Sequence, residues 1–93
     1  MTVYIDPMTT CLPNANWRWR EACHLFTDGE EAELVAFAMR IGLRQAWLQR
    51  GRSLTHFDLT ANKRRQAVAS GAVEVTIREA VAIWQRHKRE QPL

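Results

Sequence analysis

Residues 55–68, THFDLTANKRRQAV, set His56 two positions before Asp58 and then place Lys63, Arg64 and Arg65 where a helix should begin. Side chains two apart in an extended segment point the same way. His56 and Asp58 therefore share a face, where the carboxylate can fix the tautomer of a general base. The same pair can supply two metal ligands. A plainer arrangement fits equally well, with His56 bonded to a backbone carbonyl and Asp58 helping to cap the helix. The pattern leaves metal and cofactor unspecified.

The cations pose a second question. Positive side chains at a helix start oppose the helix dipole, at a cost of roughly 0.3 to 1 kcal/mol each. On a helical projection Lys63 falls on the polar face, Arg65 borders the apolar arc, and Arg64 lies inside it between Ala67 and Val68. A guanidinium so placed must meet a carboxylate, a carbonyl or a bound anion. Asp58 and Asp6 are the internal candidates. A phosphate is the external one, since the free N–H groups of the helix start also favour an anion.

These residues need elements to position them. TVYI (2–5) is a short β-prone run ending at Asp6, and residues 7–20 lack a period and form a variable loop. Trp17, Arg18, Trp19 and Arg20 alternate near its end. They suggest an edge strand with Trp packed inward, a base-stacking surface, or a protein-docking face. ACHLFT (22–27) continues the strand and carries His24 near its end. Thr27 and Glu30 form a capping box for a first helix whose apolar face is Leu34, Val35, Phe37, Ala38 and Ile41, stopped by Gly42. RQAWLQ (44–49) reads as a strand, RGRS (50–53) as an exposed turn, and THFDL as a short extended piece. Thr60 caps a second helix, 61–70, ending at Gly71. AVEVT (72–76) is another strand. Thr76 and Glu79 box the start of a last helix, 77–89, with Ile77, Ala80, Val81 and Trp84 as its stripe and a frayed tail after it. Trp47 and Trp84 are core by position, and His87 at the stripe edge is structural.

Strands alternating with helices imply crossovers, hence an α/β fold with a small, mostly parallel sheet of three to four strands and about three helices. In such sheets ligands bind beyond the carboxyl ends of the strands. Asp6, His24, Gln49, His56 and Asp58 are thus expected along one edge, with Arg64 as a spatial neighbour of His24, His56 and Asp58.

Composition sets the outer bounds. A chain of 93 residues, 46% apolar and 25% charged, is enough for one domain, read here as 1–93. No apolar run approaches the roughly 18 residues of a membrane span. The start lacks a basic region and a cleavage site, so no signal peptide is expected. Cys11 and Cys23 match no metal-ligand spacing and indicate a reduced, cytoplasmic chain. Residues 1–43 carry three cations and six anions, whereas residues 44–93 carry ten cations and four anions. Eleven of the thirteen cations are arginine, whose planar fork suits phosphate or carboxylate.

MTVYID, CHLFTD, IGLRQAWLQ and HFDLTANKRRQAVASGAVEVT, in that order, resemble a small bacterial and phage family, domain of unknown function 4031. The family pattern falls on Asp6, His24, Asp28, Trp47, Gln49, His56, Asp58, Lys63, Arg64 and Gly71 of this chain. Where the family often has a second Asp this chain has Pro7. The resemblance implies no activity, but it groups these polar residues. The functional reading is a protein that handles a phosphate-bearing ligand such as a nucleotide or a nucleic-acid end. His24, His56, Asp58 and Asp6 are its catalytic candidates, and Lys63, Arg64, Arg65, Gln49 and Trp47 its ligand-binding ones. Hydrolysis of a phosphoester or N-glycosidic bond is the reaction class. The alternative is a non-catalytic module that sequesters a nucleotide or docks on a protein through Trp17–Arg20, as a counter-defence or regulatory protein does. Self-association stays open.

Overall fold

The computed structural model describes residues 2–50 and 54–90. In chain order the elements are β1 (Val3–Ile5), β2 (Thr9–Thr10), β3 (Glu21–Thr27), α1 (Glu31–Arg40), a 3-10 turn (Gln45–Trp47), β4 (Gln49–Arg50), β5 (Thr55–Leu59), α2 (Ala61–Ala69), β6 (Val73–Glu74) and α3 (Ile77–Glu90). The expected turn at 50–53 and the tail beyond residue 90 fall largely outside the described residues.

The protein is α/β with three helices, but its sheet is mixed and mostly antiparallel rather than mostly parallel. Six strands take the order β4-β5-β3-β1-β6, with β2 pairing with β3. Among the described residues β3 runs antiparallel to β1, β2 and β5, β4 runs antiparallel to β5, and only β1 and β6 pair in parallel. The parallel expectation needed a strand over 44–49 following α1. That segment has no β-branched residue, which disfavours a strand, and it folds instead as the 3-10 turn leading into two residues of β4. The chain then reverses through β4 into β5, so β5 returns antiparallel to β3. Alternation of helix and strand cannot reveal that extra reversal. Two connections keep the crossover form: β3-α1-β4 joins strands that run the same way with β5 between them, and β5-α2-β6 does so across β3 and β1.

The sheet buries both faces. Ile5, Cys23, Leu25, Phe57 and Leu59 point to one side and pack with Leu34, Phe37, Ala38 and Ile41 of the α1 segment and Ala67 of α2. The face predicted for α1 is the one it buries. On the other side Phe26 packs with Ala80 and Ile83 of α3, joined by Tyr4, Leu54 and Trp84. The α3 stripe is rotated from the expected one: Ile83 is buried, whereas Ile77 and Val81 are exposed. Trp47 is 51% exposed rather than core, because the 3-10 turn carries it outward. Residues 17–20 form no edge strand. Trp17 makes an isolated bridge with Asn14 instead, and its indole donates to the Glu21 carbonyl.

Helix ends follow local chemistry closely. The Thr60 hydroxyl accepts from the Lys63 N–H, and Thr76 and Glu79 exchange the two bonds of a capping box. At α1 the expected box is absent. Thr27 donates its hydroxyl to the Thr2 carbonyl and accepts from Gly29 N–H, so the helix starts at Glu31 with Glu30 before it and no side-chain cap. Both α1 and α2 end in Schellman motifs. The Leu43 N–H reaches the Ala38 carbonyl and the Ala72 N–H reaches the Ala67 carbonyl, with Gly42 at φ 86° and Gly71 at φ 107° between.

The two glycines differ in surroundings. A Cβ on Gly71 would meet nothing, whereas one on Gly42 would stand 3.0 Å from the Lys63 ammonium. Gly71→Ala should therefore cost only its backbone strain, about 1 to 2 kcal/mol. Gly42→Ala should cost more, because it also displaces the lysine. Urea unfolding of the two variants tests this ordering, and equal losses would show that the lysine contact carries no weight.

Candidate functional site

Four neighbouring strands present a row of polar side chains across the sheet. Gln49 of β4 lies opposite His56 of β5, and Asp58 of β5 lies opposite His24 of β3. Asp6 follows the end of β1. Because Cys23, Leu25, Phe57 and Leu59 point into the α1–α2 core, strand alternation turns His24, His56 and Asp58 to the face that α3 covers. There the Trp84 and His24 rings meet edge to face with centroids 5.7 Å apart, and the two imidazoles do so with centroids 5.0 Å apart.

Asp6 is the anchor. It is 3% exposed, and its carboxylate accepts from the His24 main-chain N–H at 2.6 Å and from His24 Nδ1 at 2.8 Å. A carboxylate accepts only, so Nδ1 carries the proton and Nε2 of a neutral His24 is left as a lone pair. That Nε2 faces Asp58 Oδ1 at 3.9 Å. His56 is fixed the same way from the other side. Its Nδ1 donates to the Leu54 carbonyl at 3.1 Å and its Nε2 stands 3.3 Å from the same Asp58 Oδ1. The Gln49 amide donates to Asp58 Oδ2.

These contacts shift the protonation equilibria. The hydrogen bond to Asp6 raises the His24 pKa above its ordinary value, with burial opposing and the charges of Asp6 and Asp58 assisting. Burial alone would raise the Asp58 carboxyl, but bonds and charge from His56, the Gln49 amide and His24 outweigh it and pull it below the usual range. Cys23, turned to the opposite face, is pushed up to about 12, mainly by burial, which makes it a thiol and not a nucleophile at neutral pH.

His24, His56, Asp58 and Asp6 are thus brought together. Arg64 is not part of that group. It reaches from α2 on the opposite face and donates Nε to the Asp6 carbonyl at 3.0 Å and Nη1 to Glu74 at 3.1 Å. Its acidic partner is Glu74, not the Asp58 or Asp6 carboxylate expected from the sequence. Lys63 donates to the Ile41 carbonyl at 2.7 Å and to Gln66, so it offsets the negative end of the α1 dipole. Arg65 is exposed and bonds Asn62. Lys63 and Arg64 are therefore tied to carbonyls at the ends of neighbouring elements, whereas Arg65 bonds within its own helix. Asp28, another family position, accepts from Thr2 N–H and the Tyr4 hydroxyl and secures β1.

Beside the row lies an open cleft of about 930 Å³. Trp17, Trp19 and Trp47 form its aromatic walls, and Gln49, Asp58 and Lys63 line it as polar groups. Trp17 and Trp19 lie 4.8 Å apart, and the Arg18 guanidinium covers Trp19. The cleft reaches the histidine cluster through Asp58 and Gln49. The sequence marked the tryptophans by their alternation with arginine, but nothing local marked Glu74, the Leu54 carbonyl or Trp84 as partners.

Residues 3–87 match the family described as Protein of unknown function (DUF4031). The chain belongs to this family. No curated protein and no solved structure matches the chain. Within this DUF4031 chain the positions singled out by family resemblance divide by location. Asp6, His24, Gln49, His56 and Asp58 converge on the polar row. Asp28, Arg64 and Gly71 secure strands and a helix end, Trp47 lines the cleft, and Lys63 does both.

A pH dependence follows from the two shifts. A raised histidine pKa gives stability that is complete below about pH 6.5 and is lost as pH rises through the folded value. A depressed carboxyl gives stability present above about pH 4 and lost as pH falls through the folded value. Protein freed of divalent ions should then unfold at its highest temperature in the mildly acidic window between them. Asp6→Asn should flatten the alkaline limb of that curve. An unchanged alkaline limb in the variant would show that the Asp6–His24 bond does not set it.

Proposed function

We propose that this protein hydrolyses a phosphoester bond in a nucleotide or at a nucleic-acid end. The observation that carries the reading is that Asp58 belongs both to the histidine cluster and to the tryptophan-walled cleft. A base stacked between indoles gains roughly 1 to 3 kcal/mol, and the volume of the cleft suits a ligand of that size. The Lys63 ammonium has three donors and uses two within the fold, which leaves one for a phosphate oxygen. Arg64 acts in this reading as a positioning residue, holding the Asp6 main chain so that the Asp6 carboxylate meets His24. Arg65 offers an exposed charge at the same helix start.

The cluster would act on a water molecule. His24 and His56 turn Nε2 toward it while Asp6, the Leu54 carbonyl and Asp58 fix both rings. The water oxygen bonds to phosphorus as the phosphorus–oxygen ester bond breaks. One water proton passes to the leaving oxygen and the other to solvent by way of the cluster. The second reading, a module that sequesters a nucleotide without turnover, draws on the cleft alone, since stacking needs no histidine.

Calorimetry with mono- and dinucleotides and short single-stranded oligonucleotides, at low and moderate salt, tests the proposal. Binding should weaken with salt, and Trp47→Ala should weaken it about 10-fold, as the loss of one stacking partner does. Phosphate release should accompany binding and be lost in His56→Ala while binding persists. Binding without release would establish the sequestering module. Heat from none of the ligands would sink both readings and turn attention to protein docking at the tryptophan face.

A further inference from the structure

We infer that His24, His56 and Asp58 form a binding site for one divalent transition-metal ion of the zinc class. The inference shares the histidine cluster, but not the cleft, with the reaction proposed above, and an ion there would take up the two Nε2 lone pairs and hold the attacking water in their place. The three side chains offer ligand atoms that all lie within 4.8 Å of one another. Since both Nδ1 atoms are committed to Asp6 and to the Leu54 carbonyl, the atoms on offer are the two Nε2 nitrogens and Asp58 Oδ1.

Two ligands about 2.1 Å from a shared ion stand about 3.0 to 3.4 Å apart at octahedral or tetrahedral angles. The His56–Asp58 edge, at 3.3 Å, already has that length, and the His24–Asp58 edge, at 3.9 Å, needs a small contraction. The charge pattern points the same way. When both imidazoles are neutral, their Nε2 lone pairs and the Asp58 carboxylate face one region, an arrangement that is repulsive until a positive charge lies between them. A proton can fill one of those gaps, whereas an ion fills both.

Each ligand also has the outer partner that a metal centre requires. The Asp6 carboxylate holds His24, the Leu54 carbonyl holds His56 and the Gln49 amide holds Asp58. Such partners fix the tautomer and ring orientation and raise the basicity of the ligand. Opposed positions on adjacent strands fix the backbone beneath them, as His24 and Asp58 pair directly across β3 and β5. Two imidazoles with one carboxylate favour zinc, cobalt, nickel or iron(II) over magnesium or calcium, which take oxygen ligands. Three protein ligands leave open positions for water, and an ion there would lower the pKa of that water toward neutrality.

The test is a calorimetric titration of chelator-treated protein with Zn2+, in the absence of any nucleotide, paired with the absorption spectrum of the Co2+ form. One equivalent should bind, and the nitrogen resonances of His24 and His56 should both shift at Nε2. His24→Ala, His56→Ala and Asp58→Ala should each lower affinity at least 100-fold. Asp6→Asn, which keeps all three ligands but lets the His24 proton move to Nε2, should lower it about 10- to 100-fold. The wild-type resonances decide the matter even if a variant fails to fold. No binding at micromolar Zn2+, or binding that leaves both histidine resonances unmoved, overturns the site. Nucleotide binding measured in chelator is a separate readout, so either proposal can fail alone.

Discussion

The Asp6 carboxylate is the constraint on which the polar face depends. It is nearly inaccessible to solvent and is satisfied by the main chain and side chain of the same residue, His24. A buried carboxylate without such donors would cost several kcal/mol. Meeting the cost with one neighbouring residue ties the end of β1 to the middle of β3. The same bond fixes which nitrogen of His24 is free. One interaction therefore sets both the strand register and the chemical character of the imidazole.

From that bond the arrangement extends in two directions. Toward α2, the Asp6 carbonyl takes the Arg64 guanidinium, which also reaches Glu74 on β6 and so links the parallel edge of the sheet to the helix. Toward β4, His24 faces Asp58, which His56 and Gln49 complete. Polar groups on the α3 face thus rest on the same residue as the packing of α2 behind the sheet. The apolar faces on either side, Phe57 and Leu59 behind and Phe26 with Ile83 in front, keep the strands from shifting and with them the ring positions.

The tryptophan cleft obeys a looser rule. Trp19 and Trp47 are exposed, and only Trp17 has its indole nitrogen fixed, to the Glu21 carbonyl. Aromatic surface is thus left open beside the polar cluster. In the proposed reading these indoles are the apolar wall, and Asp58 and Gln49 the polar floor, of a small-molecule site.

The sequence by itself determined what short-range chemistry controls. The Thr60 cap, the Thr76–Glu79 box, the stops at Gly42 and Gly71 and the buried face of α1 depend on neighbours within four or five residues. The common face of His56 and Asp58 depends only on strand alternation. Tertiary structure alone decided the direction of the strands, the exposure of Trp47 and the rotation of the α3 stripe toward Ile83. It also chose Asp6 for His24, 18 residues away, and the Asp6 carbonyl for Arg64, 58 residues away. Local periodicity fixes which side of an element is apolar, but it carries no information on which distant group will satisfy a polar atom. That choice is made when the strands pair, because a buried charge or N–H must find a partner among whatever groups the fold brings within reach.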